Sequence, residues 1–320
     1  MFPQPVMSAH DGVCIRADGS IDGTSSIQRD GDVYTFTDNL YDVILLVEND
    51  NVVIDGAGYI LYGDGQIHGP TEAGGMGVEL VECNNVTIKN LTIKKFTRGI
   101  RLTNSFDCNV YQNTLTNNSI GIELGGVDKS YIDSYASNNT VSGNVIKENN
   151  TGIRLNLGSS NTVCENTITK NNYGICILGA SENSIIYNHI TNNQKGVYFE
   201  ISGINIFHHN NFDNNINDCW DYGLTPWCFQ LPFSVNIWDD GKEGNYWNNY
   251  NGTDNNGDDI GDEPYVIDEK NQDNYPLLTP VTIETIPEFS SLTLLFVLLV
   301  AVVAVTVNYK RKLQQRSCHK

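Results

Sequence analysis

Residues 139–221 read NTVSGNVIKENNTGIRLNLGSS, NTVCENTITKNNYGICILGASE, NSIIYNHITNNQKGVYFEISGI and NIFHHNNFDNNINDCWD, three full lines of 22 residues and the start of a fourth. Stacked this way, the lines share columns. Asn144, Asn166, Asn188 and Asn210 fall in one, and Val141, Val163, Ile185 and Phe207 in another. Ile146, Ile168, Ile190 and Phe212 form a third, and Gly152, Gly174 and Gly196 a fourth. The columns continue upstream through Val110, Asn113, Leu115 and Gly121, then through Ile88, Leu91, Ile93 and Gly99. One step, from Asn113 to Asn144, is 31 residues long and holds GGVDKSYIDSYAS. A fixed period of this size describes stacked units that lean on their neighbours, not a chain wrapped around one core.

Each unit holds two short β-branched runs, such as Val163–Ile168 and Ile175–Ile177, in which apolar and polar residues alternate. That is the period of a strand with one buried face. No unit places apolar residues at i, i+3, i+4 and i+7, so helices are excluded from the repeat. Leucine-rich repeats have a similar period, but their L-x-x-L-x-L-x-x-N string is absent. The reading is an all-β chain: a right-handed, single-stranded parallel β-helix with rungs about 4.8 Å apart. Asn and Gly are read as corner residues that tolerate a left-handed backbone. The column Asn113, Asn144, Asn166, Asn188 and Asn210 then predicts a ladder of carboxamides bonded along the stack. The expected organisation is cap strands over 1–50, repeats over 51–221, a Trp-rich and acidic C-terminal cap over 222–286, a membrane span over 287–309 and a basic tail over 310–320.

Charge divides the chain. The first 309 residues carry 38 acidic and 14 basic side chains, whereas Lys310, Arg311, Lys312, Arg316 and Lys320 follow with no acid among them. An acidic body without a basic patch argues against nucleic acid as a partner. Residues 289–307, FSSLTLLFVLLVAVVAVTV, have the length and apolarity of one bilayer crossing. With the basic tail behind them, they predict a single-pass membrane anchor, a cytoplasmic C-terminus and a body outside the membrane. Pro287-Glu288-Phe289 before this run resembles the PEF-type sorting signals of archaea, which implies cleavage and exchange of the span for a lipid; an uncleaved helix is the alternative. Residues 1–12, MFPQPVMSAHDG, hold no apolar run of a signal peptide, so the start is expected to be truncated or to follow a removed leader. Asn85, Asn90, Asn117, Asn138, Asn149 and Asn251 stand in N-x-S/T, in keeping with an extracellular body.

Among eight cysteines no C-x-x-C occurs. Cys219 and Cys228 flank an aromatic loop and are a disulfide candidate, with two buried thiols as the alternative. All four tryptophans, Trp220, Trp227, Trp238 and Trp247, follow the last full rung. They suit a hydrophobic plug over the open stack, with a sugar-stacking platform as the rival. Beyond them Asp254, Asn256, Asp258, the Ile260 carbonyl and Asp262 stand at positions 1, 3, 5, 7 and 9 of a calcium loop. Asp259 replaces the usual Gly and Tyr265 the usual Glu, so a solvated acidic loop is the alternative.

At this point a family comes into view. RADGSIDGTSSIQRDGDVYTFTDNLYDVILLVENDNVVIDGAG near the start, the Asn/Gly rungs, and GNYWNNYNGTDNNGDDIGDEPYVIDEKNQDNYPLL near the end resemble archaeal surface proteins of the NosD-like parallel β-helix family. The resemblance spans about residues 13–280 and implies the fold and an extracytoplasmic location. The family takes its name from a periplasmic copper-binding accessory factor of nitrous oxide reductase, and its repeats are also described in carbohydrate-binding proteins and sugar hydrolases. The resemblance therefore implies three functional directions.

The residues weigh these unequally. Copper sites favour His, Met and Cys. His189, His208 and His209 fall in neighbouring rungs by register, with His189 beside Asn211 and His209 beside Tyr187, but no Met accompanies them, so copper is not expected. For polysaccharide cleavage, register sets Arg101 over Glu123 and Glu123 over Arg154, an alternation that reads as a surface ladder of ion pairs. Binding or scaffolding is left, with glycan as the expected partner and outward Tyr111, Tyr173, Tyr187 and Tyr198 as candidate contacts. The expected protein is an anchored, outward-facing β-helix that binds glycan or builds the envelope. A polysaccharide hydrolase or lyase and a copper accessory protein are its alternatives.

Overall fold

Short alternating segments such as Thr162–Cys164 and Thr167–Thr169 bury only their central residue, because successive side chains of a strand point to opposite faces. A computed structural model describes residues 12–66, 75–127, 133–222 and 234–283. Among these residues the strands lie in three large sheets of eleven, nine and nine strands, which form the three faces of a parallel β-helix. Each rung gives one strand to each face. In one lap Thr151–Asn156 lies on the first face, Thr162–Cys164 on the second and Thr167–Thr169 on the third. Pairing between rungs is parallel and in register, as in Val141↔Val163↔Ile185↔Phe207 and Ile146↔Ile168↔Ile190↔Phe212. These residues are fully buried and make the core.

The stack extends beyond the repeat at both ends. Val13–Ile15 pairs in parallel with Leu45–Val47, which pairs with Met76–Val81, so the first face begins well before residue 51. Two antiparallel strands, Ile21–Asp22 and Ile27–Asp30, close the start of the first and second faces. At the other end Tyr246–Trp247 adds a last strand to the third face. Trp238 stacks on Phe207 (4.4 Å, 18°) and Trp247 on Phe212 (4.3 Å, 6°). The Val/Ile and Ile/Leu columns thus end in Phe and then in buried Trp, an aromatic plug made by enlarging the core residues. Trp227 and the 289–307 run lie outside the described residues, and among the described residues no helix is long and apolar enough to cross a membrane.

Three Asn columns run through the corners. Asn144 donates both its backbone N–H and its Nδ2 to Asn166 Oδ1 (3.0 Å each), and Asn166 repeats this toward Asn188 Oδ1 (3.1 and 3.0 Å). Each Nδ2 also reaches a carbonyl one rung back, as Asn166 does to Val141 O at 2.9 Å. The column holding Asn113, Asn144, Asn166, Asn188 and Asn210 continues to Asn245. Equivalent columns join Asn118, Asn149, Asn171, Asn193 and Asn215, and Asn139, Asn161, Asn183, Asn205, Asn236 and Asn271. Asn149, one of the N-x-S/T asparagines, is buried in its column and is not available for modification.

The corners follow the expectation in part, with left-handed Asn117, Asn138, Asn192 and Asn214 at φ 55–59°. The left-handed residue is the one before each ladder Asn, and it is seldom Gly: Gln112, Glu165, Tyr187 and His209 carry φ of 54–58° at one corner. The Gly column answers a different constraint. A Cβ on Gly121, Gly152 or Gly174 would lie 2.5–2.6 Å from the carbonyl oxygen of the next glycine in the column, and none of the three has positive φ. Glycine is required there by the close approach of backbones, not by a turn.

Candidate functional site

The outer side of the first face concentrates charge. Register sets Glu79, Arg101, Glu123, Arg154, Cys176, Tyr198 and Trp220 in one file, seven rungs long. Arg98, on the first strand residue of its rung, joins from the side. Glu123 receives Arg98 Nε in a short ion pair, Arg154 Nη1 at 3.4 Å and Arg101 Nε at 3.6 Å, and Arg101 Nη1 lies 3.6 Å from Glu79. The side chains of Glu123 and Arg101 are only 3% and 7% exposed. This corrects the expectation of a surface ladder, and the reason lies in the 31-residue step. The chain leaves the first face through left-handed Gly125 and Gly126 and returns through Asp133–Ser134, which pairs antiparallel with Gly126–Val127. Gly126 packs so near Arg101 that a Cβ there would stand 3.5 Å from Nη2. Breaking such a buried network by removing one charge costs about 3–5 kcal/mol, far more than an exposed pair. Arg101 Nε and Arg154 Nε are buried without a hydrogen-bond partner among the described residues.

Further along, the file becomes aromatic. Tyr173 meets Tyr198 edge-on at 5.4 Å, and Tyr198 meets Tyr222 at 6.4 Å. Lys195 Nζ sits over all three of Tyr173, Tyr198 and Trp220, at 5.0, 5.4 and 4.5 Å from their ring centres. Trp220 is 39% exposed, so it belongs to this platform and not to the plug. Cys176 lies between the two halves; burial pushes its thiol up to about 11, which keeps it protonated and unreactive. The result is a strip about 30 Å long at the rung spacing, ion-paired at one end and aromatic at the other.

Other predicted residues are placed as follows. Tyr187 does not join the strip; it stacks on His209 at 4.7 Å and 17°, at the corner between the second and third faces. His189 pairs with Asn211, and burial lowers its pKa. In the acidic loop Asp254 accepts from the backbone N–H of Gly257, Asp258 and Asp259 (2.6, 3.3 and 3.0 Å). Asp259, in the position usually held by Gly, adopts φ 65°. Asn256 donates to Asp258 at 3.0 Å, and Asp262 accepts from Asn255. The Ile260 N–H bonds Asp258 Oδ1, and Ile260 forms a bridge to Leu277. Asp254, Asp258 and Asp262 do not gather their carboxylates into one cluster. Cys219 is half-buried, with its thiol raised well above its usual value by burial, while Cys228 lies outside the described residues.

A model of the family described as periplasmic copper-binding protein (NosD) matches residues 38–252, two-thirds of the chain. The chain belongs to the NosD family. No curated protein sequence matches it. Among solved structures it is similar to the periplasmic alginate epimerase AlgG (18% identity, 61% of this chain, 40% of that one, TM-score 0.40). It is also similar to the Azotobacter vinelandii mannuronan C-5 epimerase AlgE6 A-module (14%, 62% and 60%, TM-score 0.42). A third is the DFA-IIIase from Arthrobacter chlorophenolicus A6 in complex with GF2 (10%, 66% and 55%, TM-score 0.46). The chain therefore spans about 40% of the length of AlgG. At these identities and scores the likeness is that of one β-helix to another, and it assigns no activity.

The family description raises copper, and the donors can be tested for it. A carrier of Cu(I) needs thiolate or thioether. Among the described residues no Cys joins a cluster of three ligating groups, and Met76 is buried on the first face. The cluster among the described residues, His208, His209 and Asp240, offers two imidazoles and a carboxylate, donors that suit divalent transition ions.

Proposed function

We propose that this NosD-family chain is an extracytoplasmic β-helix protein that binds an acidic glycan along the outer side of its first face. The observation that carries the reading is the aromatic half of the file, where Lys195 lies over Tyr173, Tyr198 and Trp220 and the partly exposed Arg154 stands two rungs before Tyr198. The Lys195 ammonium and the exposed part of Arg154 suit uronate carboxylates, and aromatic faces suit sugar rings. The strip repeats at the rung spacing of about 4.8 Å, close to the advance of an extended sugar chain by one residue. The periplasmic description of the family, the apolar 289–307 run and the basic tail behind it support a place at the envelope, held by a membrane anchor. The spacing of Asp254, Asn256, Asp258 and Asp262 supports a structural Ca2+ in the acidic loop, whose binding would have to draw together carboxylates that stand apart in the structure.

Cleavage is the second reading. Glu79 and Glu123 stand two rungs apart, about 10 Å, near the upper limit for paired glycosidase carboxylates. Three guanidiniums claim Glu123, which leaves it badly placed to reach a glycosidic oxygen, so binding is favoured.

The test is retention of the purified protein on immobilised polyuronate and on neutral polysaccharide, with the length of the polymer followed over time. Polyuronate should bind, weaken with added salt, and lose at least tenfold in affinity in Lys195→Ala and Trp220→Ala. Equal binding of the variants, or no binding to any acidic polymer, overturns the reading; shortening of the polymer moves it to cleavage.

A further inference from the structure

We propose that His208, His209 and Asp240 form a binding site for one divalent transition cation of the zinc type, which fastens the C-terminal cap to the last rung. The proposal is independent of glycan binding and lies on a different part of the rod.

The ligands come together for reasons visible in the backbone. His208 is the outward residue of Ile206–His208 on the second face. Its neighbour in an extended strand would point inward. His209 instead takes the left-handed corner conformation, φ 57°, which turns its ring to the same side as that of His208. The two Nδ1 atoms stand 2.6 Å apart. Asp240 reaches them from the cap, 31 residues further along, and the three ligating atoms all lie within 4.8 Å of one another. Ligands around a tetrahedral zinc are about 3.3 Å apart, so small side-chain rotations suffice.

His209 and Asp240 are already aimed, and His208, which donates its Nδ1 proton to His209, has only to give up that proton to the other ring nitrogen or to solvent on binding. Glu243 holds His209 Nε2 at 2.6 Å, which fixes the proton on that nitrogen and turns the Nδ1 lone pair toward His208 and Asp240. A carboxylate behind a ligating histidine is the usual companion of a metal site. Tyr187 stacks on the His209 ring and holds its plane. Asp240 Oδ1 accepts from Lys242 N and Glu243 N at 2.8 Å each, which fixes the side chain and leaves Oδ2 unclaimed among the described residues. His209 N donates to Gly244 O at 2.6 Å, so cap and corner already run side by side. Two imidazoles, one carboxylate and an open fourth position is a donor set for Zn2+ or Cu2+; oxygen-seeking Ca2+ and Mg2+ would not choose it.

The experiment uses the full chain, stripped with EDTA and titrated calorimetrically with Zn2+, Cu2+ and Ca2+. One equivalent of Zn2+ should bind, Cu2+ should displace it, and Ca2+ should not compete. Co2+ bound in place of Zn2+ should give a visible absorption band. His208→Gln and Asp240→Asn should each lose at least tenfold in Zn2+ affinity, and Glu243→Gln, a positioning residue, about tenfold. His189→Gln, outside the cluster, should bind as the parent does. Zn2+ should raise the melting temperature of the parent and leave that of Asp240→Asn unchanged; this variant keeps an acceptor for Lys242 and Glu243 and is expected to fold. The proposal is overturned if the parent takes up no Zn2+, if Ca2+ competes equally, or if His208→Gln and Asp240→Asn retain parental affinity, which would place the metal on His10, His68 or His319.

Discussion

The rungs and the C-terminal cap face the same difficulty and meet it differently. In the rungs every ladder Asn hands its donors to an identical residue one lap on. In the cap no further lap exists, and the last donor must end on something that accepts without donating. All three ladders end on a carboxylate. Asn215 donates to Asp218 (3.0 Å), Asn245 to Asp273 (2.7 Å from its backbone N–H) and Asn271 to Asp268 (2.9 Å from its backbone N–H). A carboxylate has acceptors only, so it closes a chain of donors where another carboxamide would leave its own amide unmet. Repetition is therefore self-satisfying, and termination needs a change of chemistry.

That contrast can be broken at several points, the first the most costly. Asn166→Ala removes the acceptor of two buried donors on Asn144, each worth about 1–3 kcal/mol when left unpaired. A loss of about 4 kcal/mol is expected by chemical denaturation; a loss below about 1 kcal/mol would show that the ladders are ornamental. Next comes Asp273, fully buried, which also takes Trp247 Nε1 at 2.8 Å and Tyr275 N at 3.1 Å. Asp273→Asn sets an amide against these donors and should cost about 2–3 kcal/mol.

The same residue predicts a pH effect. Burial pushes Asp273 up to about 6, against hydrogen bonds from Trp247, Asn245 and Tyr275 that hold it down. Its folded pKa thus lies above the usual 3.8, so the folded state binds the proton more tightly than the unfolded one. Its contribution is complete below about pH 4 and is lost as pH rises through about 6, by up to about 3 kcal/mol. Melting followed from pH 4 to 7 should show this fall in the parent and not in Asp273→Asn. Asp268 is half-buried, and Asp268→Asn should cost only about 1 kcal/mol. Smallest of all is Trp220→Ala, exposed on the strip, with an expected stability change within about 0.5 kcal/mol despite its effect on glycan retention.

Much of the rod is legible in the sequence because repetition writes each contact several times. The Val141–Phe207 and Ile146–Phe212 columns pair as their spacing implies. Register also sets His209 on Tyr187. Two more Asn columns, Asn149 to Asn215 and Asn139 to Asn205, carry the same 22-residue step and could have been found by the same alignment, whereas Asn236 and Asn271 lie 31 and then 35 residues further on. The cause of the Gly column was not legible, since a carbonyl 2.5–2.6 Å from a would-be Cβ is a matter of how tightly laps coil. Nor was the burial of Glu123, because its cover is the one step that breaks the period. Asp240 and Glu243 reach the histidine corner from the cap, where no column predicts a neighbour.

The Asn columns carry a consequence for evolution by duplication. Residues 161–182 receive donors from the lap before and pass an equal set to the lap after, so the Asn seam on either side of them is chemically the same. Excising that segment, or copying it in tandem, would rejoin Asn139, Asn144 and Asn149 to partners indistinguishable from their own. The reach of this molecule is set by a count of interchangeable modules, and a gene could lengthen or shorten it by 22 codons at a time without redesigning either end.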